Sequence, residues 1–374
     1  MIINPTTSFK ASPRANSIQT TFGNIALNTN ASANFFQGAL VLSAAYSRAL
    51  SPSEVGTLIA DIRNDLVSTG RKVYLPMSYS GTFSLDYQPQ PLAAYSVHRL
   101  RTNYSGPILS VTKSSGGPPQ DIAPDGNGNI TGALQSACAV VTCWVTTWYD
   151  QSGNGYNLQQ TASADAPVIV NAGIIQKDNS GNPTLTFSGA QWMETGTALF
   201  TFISDSASVH AVASNTGTFA NGGALALVAN NYSDGLGVAA SDMATGLLMG
   251  ITSSGQVNAY RYGLGQAMLA PASSGVFFSA SSVYDSYTHR MYVDGVSAQP
   301  VHNGGTYSAG QNHPDEFYSY DFVVGWDKDG TGGGSNDIHW KGNISEVLLY
   351  DYAITDTTAA FLQSYDAAFF GTGR

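Results

Sequence analysis

Apolar and polar residues alternate in short runs from about residue 90 to the C-terminus, and Gly, Ser, Asn and Asp separate the runs. Alternation with a period of two places every second side chain on one face, which is typical of β-strands with one buried face. We predict strands at 108–112, 144–149, 168–170, 184–187, 209–213, 225–228, 246–251, 257–262, 276–280, 289–293, 322–325 and 344–349. Many short strands joined by turns predict an antiparallel β-sandwich.

Helical patterns are few, and in two places they follow a strand. Residues 36–67 read as strand, turn, helix cap and helix, and residues 340–369 repeat that order at an offset of 304 positions. In the first copy Ser51 and Glu54 form a capping box, and Pro52 fits the first helical turn. We predict that these helices end near residues 67 and 369, and that residues 95–103 form a short helix. Two unrelated β–α units would give the same pattern.

The composition suits a turn-rich β protein. The chain has 374 residues, of which 43% are apolar and only 11% are charged, with 40 Gly and 20 Tyr. So large an apolar fraction argues against disorder. The net charge is −10 with only 15 Lys and Arg, so we expect no basic patch for nucleic acid. No apolar run approaches the roughly 18 residues that cross a membrane, and the N-terminus lacks the apolar core of a secretory signal peptide.

The two cysteines, Cys138 and Cys143, lie five positions apart just before a predicted strand. A zinc site is not expected there, because the chain has no second cysteine pair and its six histidines are scattered. The best account is a disulfide at the mouth of a β-hairpin, worth about 2 kcal/mol for so short a loop. Two reduced and buried cysteines are the alternative.

A series of motifs carries a family resemblance. In chain order they are AAYSVHRLR at 93–101, YSGP at 104–107, QDIAP at 120–124, the two cysteines, and WYDQSG at 148–153. The series resembles the catalytic domain of the α-L-arabinofuranosidase B family over about 90–195, and more loosely over 196–372. This resemblance implies a concanavalin-like β-sandwich. The YDQSG motif with its upstream cysteines also resembles one in large phage structural proteins, in which the sandwich need not be an enzyme.

The YVDG sequence at 292–295, which predicts a hairpin with an Asp-Gly turn, and the strand–helix endings resemble laminin-G-like domains. We therefore predict an all-β fold, an antiparallel concanavalin/laminin-G-like β-sandwich (jelly roll) with a few short helices and an N-terminal arm. The sandwich is assigned to 91–374, a connector to 71–90, and the arm with a strand–helix assembly segment to 1–70. Because two strands and a helix cannot bury their apolar faces alone, residues 1–70 are expected to pack on the sandwich or on another subunit.

The family resemblance also bears on catalysis. Retaining glycosidases use two carboxylates about 5 Å apart, one as nucleophile and one as acid/base. The resemblance places the nucleophile Glu within about 209–250, but no Glu occurs from 195 through 315, and Asp234 and Asp242 are the only acids in the shorter stretch. The family's acid/base Asp follows a strand that ends in Gly, a place that Asp327 matches. We therefore assign no catalytic pair and keep Asp327 as the candidate acid/base.

Sugar binding needs aromatic rings beside hydrogen-bonding groups. The candidate ligand-binding residues are Tyr149, Asp150, Gln151, Trp326, Asp327, Asn336 and Trp340. Asp150 has a second interpretation, since Asp at the start of a turn often caps that turn through its side chain. Asp327, Asp329 and Asp337 lie in a Gly-rich loop and are candidate calcium ligands, although the loop lacks the full EF-hand pattern. The six histidines show no arrangement that indicates a Ser-His-Asp hydrolase.

From these patterns we expect a non-enzymatic phage virion protein, either a capsid decoration or a tail-associated protein, built on a glycan-binding type of sandwich. Its expected location is the virion, an extracellular particle. Its expected partners are other virion proteins, copies of itself through residues 1–70, and cell-surface glycans, with neither nucleic acid nor membrane among them. No cofactor other than calcium is expected. An α-L-arabinofuranosidase-like glycoside hydrolase is the alternative, and a free lectin-like carbohydrate-binding module is a second one.

Overall fold

The computed structural model describes most of the chain from residue 83 onwards. The described residues are 83–86, 88–196, 206–216, 225–231, 247–251, 255–261, 266–271, 273–285, 288–298, 300–301, 321–327 and 338–373. All of them lie in Val73–Arg374, one of two compact units of the chain, the other being Met1–Lys72. The predicted arm and assembly segment at 1–70 therefore lie outside the described residues. Among the helices that are described, none combines the length and the apolar character needed to cross a membrane.

Strands dominate the described residues, which form twenty-two strands and two helices. The strands are β1 (Ala93–Ser96), β2 (Leu109–Lys113), β3 (Gln120–Ile122), β4 (Cys143–Trp148), β5 (Leu158–Gln159), β6 (Val168–Asn171), β7 (Ile174–Ile175), β8 (Leu185–Ser188), β9 (Met193–Glu194), β10 (Ser206–Asn215), β11 (Leu225–Asn231), β12 (Leu247–Ile251), β13 (Gln256–Arg261), β14 (Gln266–Pro271), β15 (Phe277–Asp285), β16 (Thr288–Val293), β17 (Val296–Ala298), β18 (Pro300–Val301), β19 (Asp321–Val324), β20 (Trp326–Asp327), β21 (Ile338–His339) and β22 (Lys341–Tyr350). The helices are α1 (Thr131–Ala137) and α2 (Asp356–Phe369). Each of the twelve predicted strands overlaps an observed one.

Two long strands form the centre of the fold. Strand β10 pairs with β15 along one edge and with β22 along the other, and the far edge of β22 is shared by β1 and β8. Strand β4 pairs with β2, β5 and β6, while β11 lies between β12 and β19. All of these pairings are antiparallel. The predicted antiparallel β-sandwich is therefore confirmed, whereas the jelly-roll strand order and the laminin-G likeness stay predictions.

The central strands are covered on both faces. Along β22 the side chains alternate, so that Val347 joins the large apolar core while Leu348 joins a smaller core beneath α2. A strand buried on both faces leaves no side chain in water, so each polar side chain on it needs a partner inside the protein. This requirement applies to His210 of β10 and Glu346 of β22, which are fully buried and face α2.

Helix α2 begins and ends where the sequence predicts. The hydroxyl of Thr355 caps it by accepting a hydrogen bond from the backbone N–H of Thr358. The Asp-Gly hairpin turn between β16 and β17 is also confirmed. Asp294 and Gly295 there have φ angles of 49° and 79°, which is the positive-φ pair that a tight hairpin turn of this type requires.

The helix predicted at 95–103 is wrong. Residues 93–96 form β1 instead, which pairs with β22 and is buried at all four positions. Sheet pairing and burial outweigh the weak helical preference of so short a segment. Helix α1, which was not predicted, buries a single side chain, Leu134, and has no side-chain cap, so the sequence carries little periodic signal for it.

Candidate functional site

A disulfide bond lies at the start of the strand that leads into the YDQSG turn. Cys138 follows α1 and Cys143 opens β4, and the two sulfurs are bonded. Both side chains are buried. Strand β4 then places Trp148 in the core, where its ring N–H donates to the carbonyl of Ser96 at 3.0 Å. The disulfide therefore fixes the start of the strand that leads into the turn.

The carboxylate of Asp150 is the hub of this turn. Its Oδ1 accepts hydrogen bonds from the backbone N–H groups of Ala94 at 2.9 Å and Ser152 at 2.8 Å. Its Oδ2 accepts from the Ser152 hydroxyl at 2.7 Å and from the Tyr156 N–H at 3.1 Å. Asp150 is buried, and these four donors compensate for the loss of water around its charge. The turn-capping interpretation of Asp150 describes this geometry, and the ligand-binding one does not.

Gln151 has a similar internal role. Its Oε1 accepts a hydrogen bond from the Leu100 N–H at 2.9 Å, and its Nε2 donates to the His98 carbonyl at 2.9 Å. The side chain is 1% exposed. A ligand cannot reach a side chain that is buried and already bonded within the protein. Our prediction that Asp150 and Gln151 bind a ligand is therefore wrong, because both fasten the turn to residues 92–100.

Tyr149 lies next to this network but remains partly exposed. Its hydroxyl donates to Asp121 Oδ1 at 2.9 Å. Partial burial and this hydrogen bond raise the pKa of the Tyr149 hydroxyl, so it stays a neutral donor at physiological pH. Contact between Tyr149 and a ligand stays a prediction.

Three partly exposed aromatic rings come together at the start of β9 and at the β20–β21 pair. The ring of Trp326 stacks on His339 with centroids 5.2 Å apart and planes 8° apart. It also packs at a tilt against Trp192, with centroids 5.2 Å apart and planes 51° apart. We call these three residues the aromatic patch. Indole rings can stack on the C–H face of a sugar ring, and contact between Trp326 and a ligand stays a prediction.

Gly325 makes the bend that brings Trp326 to the patch. Its φ is +91°, in the region that favours glycine. A Cβ at this position would lie 2.6 Å from the ring of Phe187 and 2.8 Å from the carbonyl oxygen of Gln191. No other residue type fits there without displacing the backbone before Trp192. The glycine that ends the predicted strand is thus what lets the chain turn from β19 into β20.

The other predicted site residues fall in different places. Trp340 is fully buried and packs edge-on against Phe278, so the prediction that it forms a ligand platform is wrong. The backbone of Asp327 lies in β20, directly after Trp326. Three predicted residues, Asn336 and the calcium candidates Asp329 and Asp337, lie outside the described residues. Calcium binding by Asp327, Asp329 and Asp337 stays a prediction.

Strands β10 and β15 and helix α2 form a Ser-His-Asp line that the sequence analysis missed. His210 Nδ1 lies 2.8 Å from Ser281 Oγ, and His210 Nε2 lies 2.8 Å from Asp366 Oδ2. All three residues are fully buried, so no substrate reaches the serine and the line is not a hydrolase triad. Only the folded sheet and helix bring these residues together, because 71 and 156 positions separate the pairs.

Comparison with known proteins gives the decisive observation for the family resemblance. Residues 88–217 match the family model "Alpha-L-arabinofuranosidase B, catalytic". The match covers about a third of the chain, from β1 through β10 and including the Asp150 turn. The predicted resemblance to the arabinofuranosidase B catalytic domain is confirmed over these residues. Nothing among the comparisons supports the predicted likeness to phage structural proteins.

Individual relatives agree with the family match. A probable α-L-arabinofuranosidase B of Aspergillus clavatus is 42% identical over 72 residues, which is 18% of this chain and 14% of that protein. The α-L-arabinofuranosidase B of Penicillium canescens is 40% identical over 72 residues, covering 18% and 16%. The aligned segment thus spans about a sixth or less of these relatives. A solved GH54 α-L-arabinofuranosidase, soaked with a cyclic sulfate inhibitor, superposes with a TM-score of 0.50 at 18% identity, covering 75% of this chain and 63% of that one.

These findings overturn the predicted function and location. The expectation of a non-enzymatic phage virion protein, whether capsid decoration or tail-associated, is wrong, and so is the expected virion location, because the matching proteins are arabinofuranosidases. The prediction rested on the composition, on the N-terminal sequence and on the lack of a Glu from 195 through 315. None of these features distinguishes a virion surface from an enzyme built on the same fold.

Proposed function

We propose that this chain is a glycoside hydrolase of the α-L-arabinofuranosidase type. The match of residues 88–217 to the catalytic family model carries the proposal. The matched residues contain the Asp150 turn, which holds β1 in place, and the strands up to β10, against which the rest of the sandwich pairs. The substrate class that follows is an α-L-arabinofuranoside.

The aromatic patch is the proposed sugar platform. The 51° angle between the rings of Trp192 and Trp326 gives two apolar surfaces that are not parallel, and His339 backs the second ring. One sugar ring could stack on either indole while its hydroxyls meet polar groups at the edges of the patch. Replacing either tryptophan is expected to weaken substrate binding without unfolding the protein, because neither ring belongs to the buried core.

Two acidic residues that lie close to the patch residues in the sequence are proposed for the chemistry. Asp327 directly follows Trp326 and is proposed as the acid that protonates the leaving oxygen. Glu194 ends β9 two residues after Trp192, and the buried Met193 lies between them in the chain. Glu194 is partly exposed, whereas Glu346, the other glutamate of the described residues, is fully buried. We therefore propose Glu194 as the second carboxylate that a retaining mechanism needs.

The test is turnover of 4-nitrophenyl α-L-arabinofuranoside by the purified chain and by two charge-removing variants. Glu194→Gln is expected to lower kcat/KM by about 100-fold or more for this substrate and for an alkyl α-L-arabinofuranoside, whereas Asp327→Asn is expected to do so only for the alkyl glycoside. The matched control is Asp351→Asn, which removes the same charge from an exposed turn and should leave the rate unchanged. The two roles separate by leaving group, since loss of an acid matters less for 4-nitrophenolate than for an alkyl alcohol. Loss of a nucleophile affects both substrates equally.

A glycan-binding module without catalysis is the second candidate. The observation that favours it is the lack of any Glu from 195 through 315, where the resemblance places the nucleophile. This candidate predicts calorimetric binding of arabinofuranosyl oligosaccharides, loss of that binding in Trp326→Ala, and no turnover. Tyr352→Ala is a suitable control, because Tyr352 is a partly exposed aromatic residue outside the patch. Measurable turnover by the unmodified chain would exclude this candidate.

A further inference from the structure

Three side chains of metal-binding type meet between the sheet and α2. They are His210 of β10, Glu346 of β22 and Asp366 of α2. Each offers one ligand atom, and the three atoms all lie within 4.8 Å of one another. All three residues are fully buried. In the part of the chain that the structure describes, this is the one group of three or more such side chains with that spacing.

The carboxylate of Glu346 has no hydrogen-bond donor. Neither of its oxygens has a partner among the described residues, and the same holds for Oδ1 of Asp366. The hydroxyl of Ser96 lies near Glu346 and favours its charged form without reaching hydrogen-bond geometry, and it also lies 2.8 Å from His98 Nδ1. Three buried carboxylate oxygens without donors are unusual, because leaving such a group unsatisfied costs several kcal/mol. The surroundings of these three oxygens therefore lack a positively charged group.

Among the described residues, no arginine or lysine forms an ion pair with this group. The contact of that kind within the group is between His210 Nε2 and Asp366 Oδ2, which lie 2.8 Å apart. Asp294, whose carboxylate accepts from the Ser279 N–H at 2.9 Å, adds a further acidic group next to Asp366. Glu346 and Asp366 thus place two carboxylates within 4.8 Å of one another in a buried site. A bound cation would offset the repulsion between them.

Neighbouring serine hydroxyls contact His210 and Asp366 in the way that supporting groups contact the ligands of a metal site. Ser281 Oγ lies 2.8 Å from His210 Nδ1, so a proton on Nδ1 can be donated to the hydroxyl, which leaves the Nε2 lone pair facing the two carboxylates. The Ser279 hydroxyl donates to Asp366 Oδ2 at 2.5 Å and holds that carboxylate in place. Hydrogen bonds from outside the ligand set to a histidine and a carboxylate are the usual support of a protein metal site.

We propose that His210 Nε2, Glu346 and Asp366 bind one divalent transition-metal ion of the zinc type. One imidazole and two carboxylates suit Zn²⁺, whereas Ca²⁺ and Mg²⁺ prefer oxygen ligands alone. A tetrahedral ion with bonds of about 2.0–2.2 Å holds its ligand atoms about 3.3 Å apart. The widest pair of ligand atoms would then close by at most about 1.5 Å. Three protein ligands leave the fourth position to a water molecule or a nearby serine.

A metal ion at this place would be enclosed by the fold. None of the three residues is exposed, so the ion enters when the chain folds rather than by diffusion into the native protein. The ion would join β10, β22 and α2, which makes it a structural site and separates it from the aromatic patch.

The test is to unfold the full chain in guanidinium chloride with a chelator, keep the disulfide oxidised, and refold it with Zn²⁺, with Ca²⁺ or without metal. After removal of free ions, elemental analysis is expected to find about one Zn²⁺ per chain, and Tm is expected to rise by about 5 °C or more over the metal-free protein. Co²⁺ in place of Zn²⁺ should give the visible absorption of a low-symmetry site. Neither effect depends on enzymatic activity.

Two variants and a control make the test specific. Glu346→Gln keeps the shape of the side chain but removes a ligand, and His210→Asn removes the imidazole, so both should lose the bound Zn²⁺ and the Tm rise. Asp294→Asn removes a neighbouring acidic group that is not a ligand, and it should retain both. Native circular dichroism of Glu346→Gln would show that the fold survives.

Three results would overturn the proposal. The first is no bound Zn²⁺ in the refolded chain together with the same Tm with and without metal. In that case a proton shared between Glu346 and Asp366 would explain the arrangement of the two carboxyl groups. The second is binding of Ca²⁺ in preference to Zn²⁺. The third is equal Zn²⁺ content in Glu346→Gln, His210→Asn and the unmodified chain.

Discussion

Asp150 and Glu346 are both buried carboxylates, but their surroundings are opposite. Asp150 is 5% exposed and accepts four hydrogen bonds, whereas Glu346 is 0% exposed and accepts none among the described residues. Burial alone therefore does not say what a carboxylate does. The donors around Asp150 identify a structural hub, and their lack around Glu346 indicates a site that needs a ligand or a proton.

The backbone explains the difference. Asp150 begins a turn, and turns present N–H groups that have no sheet partner, so the carboxylate collects them. Glu346 lies inside β22, whose residues pair with β1 on one edge and with β10 on the other. The N–H groups nearby are therefore used by the sheet. A carboxylate inside a central strand can be satisfied only by side chains, by water, by an ion or by its own protonation.

The largest effect is expected from Asp150→Asn. An amide cannot accept four hydrogen bonds at two oxygens, and its NH2 group would face N–H and O–H donors in a buried place. We expect the free energy of unfolding to fall by about 3 kcal/mol or more, measured by urea denaturation. Asp121→Asn on the exposed surface is the control. A loss below about 1 kcal/mol would mean that the turn does not depend on this carboxylate.

Glu346→Gln should act in the opposite direction when metal is absent. Replacing a buried carboxyl group that has no donor with a neutral amide is expected to raise the free energy of unfolding at pH 7 by about 1–3 kcal/mol, measured in the presence of a chelator. The same substitution should lower the stability of the zinc-loaded protein. If the variant is as destabilised as Asp150→Asn without metal, the two carboxylates do not differ as the structure indicates.

The pH dependence of the metal-free protein sharpens the same contrast. Burial raises the pKa of Glu346 above its ordinary value of 4.5, so the folded state holds this proton more tightly than the unfolded state. The contribution of Glu346 to the free energy of unfolding is complete below about pH 4.5 and is lost as pH rises towards the folded-state pKa. Asp294 behaves alike, since burial raises its pKa to about 6. Stability should therefore fall between pH 4.5 and 7 in the unmodified chain, and less steeply in Glu346→Gln. An identical slope in both proteins would contradict this.

The smallest effect is expected from Ser279→Ala. This change removes the hydroxyl that donates to Asp366 Oδ2 and should cost about 1–2 kcal/mol of unfolding free energy without metal. Ser136→Ala on the exposed face of α1 gives the baseline for losing a serine hydroxyl. A cost equal to that of the control would show that Asp366 does not need this donor.

The sequence predicts the strands better than the site. Alternation locates all twelve predicted strands, because a buried face leaves a local signature with a period of two. The helix α2 is also predicted, because the order of strand, turn, helix cap and helix in residues 340–369 is a local feature. The segment at 95–103 is not, because its pairing partner on β22 lies some 250 positions away, where no local pattern can indicate it.

Site residues were predictable only where neighbours in sequence make the contacts. Asp150 bonds to Ser152 and Tyr156 in its own turn, which the Asp-Gln-Ser-Gly sequence indicates. The contact of Trp192 with Trp326 and the group of His210 with Asp366 join distant parts of the chain. Single histidines and glutamates inside apolar strands look like isolated polar residues until the sheet is assembled.

The most direct test of the proposed function is the rate of release of 4-nitrophenol from 4-nitrophenyl α-L-arabinofuranoside by the full chain, compared with Glu194→Gln. The account predicts measurable turnover by the unmodified chain and a loss of about 100-fold or more in kcat/KM in the variant, with Asp351→Asn unchanged. No turnover by a correctly folded, zinc-refolded chain, or equal rates for all three proteins, would contradict it.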